Sequence, residues 1–170
     1  RDREAMIELL TLCRAASGDS VTSFEYIPRI IIDIDMHHLE GIIDPMKQVY
    51  EHYVLIEFSG ANPDSGMQAA MERMLESAFE DGIVLDAAIS QSEAHRNAFW
   101  FIRDGIVEAS KEEGPRISHD VSVPVSDVPR FLKETDAKLG AELPGCRPGG
   151  FGHIGDCLLY TSPSPRDFEA

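Results

Sequence analysis

A single domain of alternating strands and helices is the fold class this sequence predicts, and three observations predict it. The chain has 170 residues, a length at which folding buries roughly 70% of the surface of the unfolded chain. Its hydrophobic share of 43% and charged share of 26% are those of a globular protein, neither disordered nor membrane-spanning. Short apolar runs then take turns along the chain with segments of helical period. By pattern alone that order suggests a parallel α/β sheet, although pattern leaves strand direction open.

Ala5, Met6, Leu9, Leu10, Cys13 and Ala16 recur at helical spacing, and Gly18 follows where a helix-ending glycine belongs. Residues 21–27 read as a strand. Pro28 then opens a helix, in whose first turn its fixed φ is tolerated, running to about residues 39–41. Residues 53–58 are apolar on both faces, which predicts a central strand. Asp64 or Ser65 is placed to cap a helix carrying Met67, Ala70, Met71, Met74, Leu75 and Ala78 on one face and ending at Gly82. Residues 83–89 predict another strand. Ser92 opens the longest helix, which bears Phe99, Trp100, Ile102 and Ile106 and stops near Gly114 and Pro115. Residues 117–123 alternate as a half-buried strand, with His119 on the core side and Ser118, Asp120 and Ser122 opposite. Ser126 starts a helix ending at Gly140, and Phe151 leads into a glycine-rich turn. No internal repeat or linker divides the chain.

Charge and cysteine content exclude several function classes. A net charge of -15 leaves no basic stripe for nucleic-acid phosphates. The apolar runs at residues 30–32 and 83–85 fall far short of the roughly 20 residues of a membrane helix. Three cysteines, Cys13, Cys146 and Cys157, are too few and scattered for a disulfide framework or a zinc cage, which predicts a reducing, cytoplasmic setting. The chain starts at Arg1 inside a charged helical pattern, without the basic start and apolar middle of a signal peptide, as though sequence upstream were missing.

Two regions carry candidate chemistry. Arg96, Trp100, Arg103 and Val107 share one face of the long helix, where a guanidinium can grip a carboxylate through two parallel hydrogen bonds; the plainer reading is a solvated edge with stacking on Trp100. In Gly149-Gly150-Phe151-Gly152-His153-Ile154-Gly155-Asp156, four glycines around one histidine allow close backbone approach to a ligand, as at a metal-binding or proton-transferring imidazole. His37 and His38 are adjacent, so on a helix they diverge by about 100° and read as surface rather than as a chelating pair.

Three segments together carry a family resemblance. Phe-Ile-Arg-Asp-Gly-Ile-Val-Glu-Ala at residues 101–109, Ile-Ser-His-Asp-Val-Ser-Val-Pro-Val at 117–125 and Phe-Gly-His-Ile-Gly-Asp at 151–156 resemble, in order and spacing, the carboxyl-terminal domain of the FAD-linked oxidases. The resemblance runs from about Met6 to Asp156. It implies an α+β fold, an antiparallel sheet covered by helices, serving as the cap of a flavoenzyme whose FAD is held mainly by a separate amino-terminal domain. It implies an enzyme that oxidises a 2-hydroxy acid to a 2-oxo acid and passes electrons to a quinone, a partner protein or oxygen; membrane association would come only through such partners. A fragment without the FAD domain is then expected to be inactive alone. Arg103 matches the family arginine on the substrate carboxylate. His153 matches the first histidine of a Gly-His-x-Gly-Asp-Gly-Asn-x-His segment that helps hold a divalent metal in some members. Ser118 stands where many members carry a substrate-contacting lysine, so a contact there would be a neutral hydrogen bond. The competing reading is a stand-alone α+β module that binds an anion or other ligand at Arg103.

After Asp156 the chain departs from that pattern. Residues 157–167, Cys-Leu-Leu-Tyr-Thr-Ser-Pro-Ser-Pro-Arg-Asp, resemble the translation of a sequencing-library adapter, and the two Ser-Pro steps suit neither helix nor central strand. The expected division is a partial cap domain over 1–156 and a non-native tail over 157–170.

Overall fold

A computed structural model of the chain describes residues 1–60 and 66–155. Helix α1 (Arg3–Ser17) is capped by Asp2, whose side chain accepts from the Ala5 N–H, and ends at Gly18 in the left-handed region with φ 60°. Strand β1 (Val21–Pro28) runs straight into α2 (Arg29–His38), with Pro28 at the junction. β2 (His52–Phe58) and α3 (Met67–Glu80) follow; the expected caps Asp64 and Ser65 lie outside the described residues. α4 (Glu93–Glu112) begins where Ser92 accepts from the His95 N–H. A 3-10 turn (Val125–Asp127) leads into α5 (Val128–Glu142), and β3 (Gly152–His153) is the last element among the described residues.

The strands form an antiparallel sheet in the order β2-β1-β3. The fold is therefore α+β, and strand-helix alternation does not here produce parallel strands. β1 is the central strand, with Tyr26 opposite Val54 on one side and Gly152 on the other. β2, expected in the centre, is an edge. Its apolar content is explained by a cavity of about 740 Å³ along it, lined by Val54, Ile56, Phe58, Ile83, Val84 and Phe99 among others.

Each face of the sheet has its own core. Phe24 and Tyr26 pack with Met6, Leu9, Leu10 and Cys13 of α1 and Met74 and Ala78 of α3, the side chains that helical spacing singled out. On the other face Ile27 and Tyr53 meet Ile31 and Ile32 of α2 and Ile102 and Ile106 of α4. Burying each large apolar side chain contributes roughly 1.5–3 kcal/mol, so the first layer holds α1 and α3 against the sheet and the second holds α2 and α4.

Two expected strands are not strands. The N–H groups of Ile83 and Val84 both donate to the Ala78 carbonyl, closing α3 instead of entering a ladder. Residues 117–122 are exposed, including His119, which is therefore no core residue; Ile117 is 79% exposed. Alternation produces a strand only where a neighbour takes the backbone groups, and both edges of β1 are already occupied by β2 and β3. His37 is exposed as expected, whereas His38 is partly buried against Glu113 and ties α2 to the end of α4.

Candidate substrate-binding site

The site begins with a charge in the middle of an apolar strand. Glu25 lies between Phe24 and Tyr26 on β1 and is 1% exposed, although alternation turns it toward α2 and α4 rather than toward the α1 core. A carboxylate so buried needs partners, and among the described residues it has two. Arg103 of α4 donates from Nε to Oε2 at 2.6 Å, and Nδ1 of His153 lies against Oε1. β3 delivers His153 because its register sets it opposite Glu25, while the Ile154 N–H bonds to the Phe24 carbonyl at 2.9 Å. Gly155 permits that approach: a Cβ there would stand 2.0 Å from the Cβ of Phe24.

Arg103 and His153, singled out separately in the sequence, thus meet on one carboxylate. The Arg103 side chain is 25% exposed and that of His153 45%, so both reach solvent while Glu25 does not. Among the described residues Nη1 and Nη2 of Arg103 make no hydrogen bond, and the guanidinium lies 5.4 Å from the centre of the Phe151 ring. What remains is an open two-pronged donor edge, backed by an aromatic ring and flanked by an imidazole. That edge suits a planar carboxylate.

Two turns earlier on α4, Arg96 makes a different pairing. It donates to Glu57 of β2 through Nε at 3.1 Å and Nη2 at 2.7 Å, and Trp100 Nε1 donates to the other oxygen of Glu57 at 3.1 Å. The shared face of Arg96, Trp100 and Arg103 is real, but Trp100 bonds a carboxylate instead of stacking on arginine. Arg29 is likewise committed to Asp33, Asp44 and Tyr53, and these neighbours raise its already high pKa. Ser118 is exposed, and no hydrogen bond joins it to Arg103, Glu25 or His153.

Among the described residues no group of three His, Cys, Asp or Glu gathers that could hold an ion. Glu25 itself is what the sequence reading missed. A lone acid within Phe-Glu-Tyr-Ile, on a strand apolar on both sides, was the available signal, since glutamate is almost never fully buried unless paired. A second buried acid, Asp35 on α2, is 0% exposed, has no hydrogen-bond partner among the described residues on either oxygen, and its pKa is pushed by burial up to about 7.

The family model described as FAD linked oxidases, C-terminal domain, matches residues 2–162. A probable mitochondrial D-2-hydroxyglutarate dehydrogenase of Oryza sativa subsp. indica is 35% identical over 91% of the chain and 27% of its own length. The mitochondrial D-2-hydroxyglutarate dehydrogenase of Arabidopsis thaliana is 29% identical over 95% of the chain and 28% of its own. A D-2-hydroxyglutarate dehydrogenase of Xanthomonas citri is 36% identical over 82% and 29%. The chain therefore spans under a third of the length of these relatives. No helix among its described residues is long and apolar enough to cross a membrane.

Proposed function

We propose a function from the premise that the chain belongs to the FAD-linked oxidase C-terminal domain family, whose model covers residues 2–162: it is the substrate-gripping part of an oxidoreductase that converts a 2-hydroxy acid to a 2-oxo acid. The observation that carries this reading is the open Nη1/Nη2 edge of Arg103, with Nε held by buried Glu25 and His153 on the same carboxylate. Arg103 grips the substrate carboxylate through two parallel bonds, which fixes the orientation of the adjacent hydroxyl-bearing carbon as well as attracting the anion. His153 takes the hydroxyl proton as the carbon gives up its hydride. FAD, when bound, supplies the hydride acceptor.

The open edge formed by Arg103, Phe151 and His153 fits one side of a small substrate and does not enclose a dinucleotide. FAD is thus assigned to a part of the protein outside this chain, and no metal is given a role in the step. The names of the relatives favour a 2-hydroxyglutarate-like acid, but Ser118 offers only a neutral hydroxyl where the family resemblance has a lysine, so a second carboxylate gains no ion pair there. Residues 1–156 form the cap portion in this reading and 157–170 a non-native tail; sequencing the intact gene tests that division.

Calorimetric titration of the chain with D-lactate and with D-2-hydroxyglutarate tests the carboxylate grip. Saturable heat that disappears in Arg103→Ala is the expected result. Equal heat from the unaltered chain and Arg103→Ala would show that the carboxylate binds elsewhere.

A further inference from the structure

We infer that Glu25 is a positioning residue for Arg103 and His153 together, setting the direction of the arginine's fork and the tautomer of the imidazole. The purpose it serves rests on the substrate reading above; its geometry does not. Each carboxylate oxygen is committed to one partner, Oε2 to Arg103 Nε at 2.6 Å and Oε1 to His153 Nδ1. An ionised carboxylate only accepts, so the hydrogen of the imidazole contact belongs to Nδ1, and in the neutral ring Nε2 keeps the lone pair. Holding Nε rather than a terminal nitrogen of Arg103 leaves both Nη1 and Nη2 to meet an anion. Water cannot replace either contact, because Glu25 is 1% exposed.

Stability alone does not account for a carboxylate at this position. A buried ion pair is often no more stabilising than a well-packed apolar substitute, and Ile27, two residues along on β1, is buried among isoleucines of α2 and α4. A single acid that anchors one residue from a helix and one from a two-residue strand instead fixes their mutual orientation. Such an arrangement prepares a proton acceptor and a carboxylate grip before substrate arrives.

Nitrogen-15 spectroscopy of the 170-residue chain tests this directly. At about pH 9, long-range correlations of the His153 ring are expected to show the proton on Nδ1 and an unprotonated Nε2. Glu25→Gln is expected to mix the two tautomers and to speed exchange of the Arg103 Nε–H by about tenfold or more, as loss of a charge-assisted bond requires. Glu57→Gln, which releases Arg96, should leave both signals in place. An Nε2–H tautomer in the unaltered chain, which needs no variant to fold, overturns the inference, as does a Glu25→Gln spectrum identical to the original. D-lactate addition separates the two readings. An unprotonated Nε2 with no response of Arg103 to D-lactate supports the positioning role while counting against substrate binding. An Nε2–H ring with a clear response overturns the positioning role alone.

Discussion

At Arg103, lysine would keep the charge and lose the geometry. The Nε bond to Glu25 and the open Nη1/Nη2 edge require a planar guanidinium, and an ammonium cannot satisfy both at once. In a flavoenzyme that includes this region, Arg103→Lys should lower kcat/KM by roughly tenfold to a hundredfold, with Arg103→Ala worse, since charge-assisted hydrogen bonds contribute about 1.5–3 kcal/mol each. Arg96→Ala is the comparison: its side chain is 50% exposed and paired with Glu57, so steady-state kinetics should show it near normal. The reverse ranking would mean that the wrong arginine has been given the substrate. Asp35 makes a separate prediction about stability. Its carboxyl holds a proton up to about 7 in the folded chain, whereas the unfolded chain releases it in the ordinary carboxylate range. The contribution is therefore fully present below that range and lost as pH rises toward 7. Urea unfolding should show roughly 2–3 kcal/mol less stability at pH 8 than at pH 5, a difference that Asp35→Asn flattens. An unchanged difference in the variant would mean that other groups set the pH dependence.

Among the elements, β3 is the one on which the site depends most and for which the least sequence signal exists. Two residues are too few to show a period, and the glycine-rich run around them reads as a turn. What makes it a strand is the bonding capacity of β1, used at Glu25, Tyr26 and the Phe24 carbonyl. Gly155→Ala should therefore push β3 away from Phe24 and destabilise the chain by about 1–3 kcal/mol, detectable as a lower melting temperature together with faster amide exchange at Ile154. Gly105→Ala provides a contrast. Its added Cβ would also meet a neighbour, 2.5 Å away, but that atom is the Cδ1 of Leu39, the end of a flexible side chain. A smaller loss at Gly105 than at Gly155 is expected. The helices illustrate the opposite situation: the cap at Ser92, the glycine stop at Gly18 and the 3.6-residue period are all local, so the sequence displayed them. Residues 83–89 and 117–123 displayed a strand pattern just as clearly, yet pairing is not local and they have no ladder.

For the whole molecule, the family and the chain's share of its relatives lead to a prediction about cofactor. Purified chain passed through gel filtration should carry no flavin absorbance after incubation with FAD, because the open site around Arg103 gives a dinucleotide no enclosure. A flavin band that co-elutes would require a cofactor site within these residues. By itself the sequence determined the helices, the apolar faces of α1 and α3, the family, and the separate candidacy of Arg103 and His153. Each of these is written in local spacing or in motif order. Only the tertiary structure decided that β1 is central and β2 an edge, that His119 and Ser118 lie exposed, and that Glu25 joins Arg103, 78 residues further along the chain, to His153. Strand order and burial depend on which backbone edges and side chains meet in space. A charge buried at 1% exposure becomes tolerable only when its partners arrive from other elements.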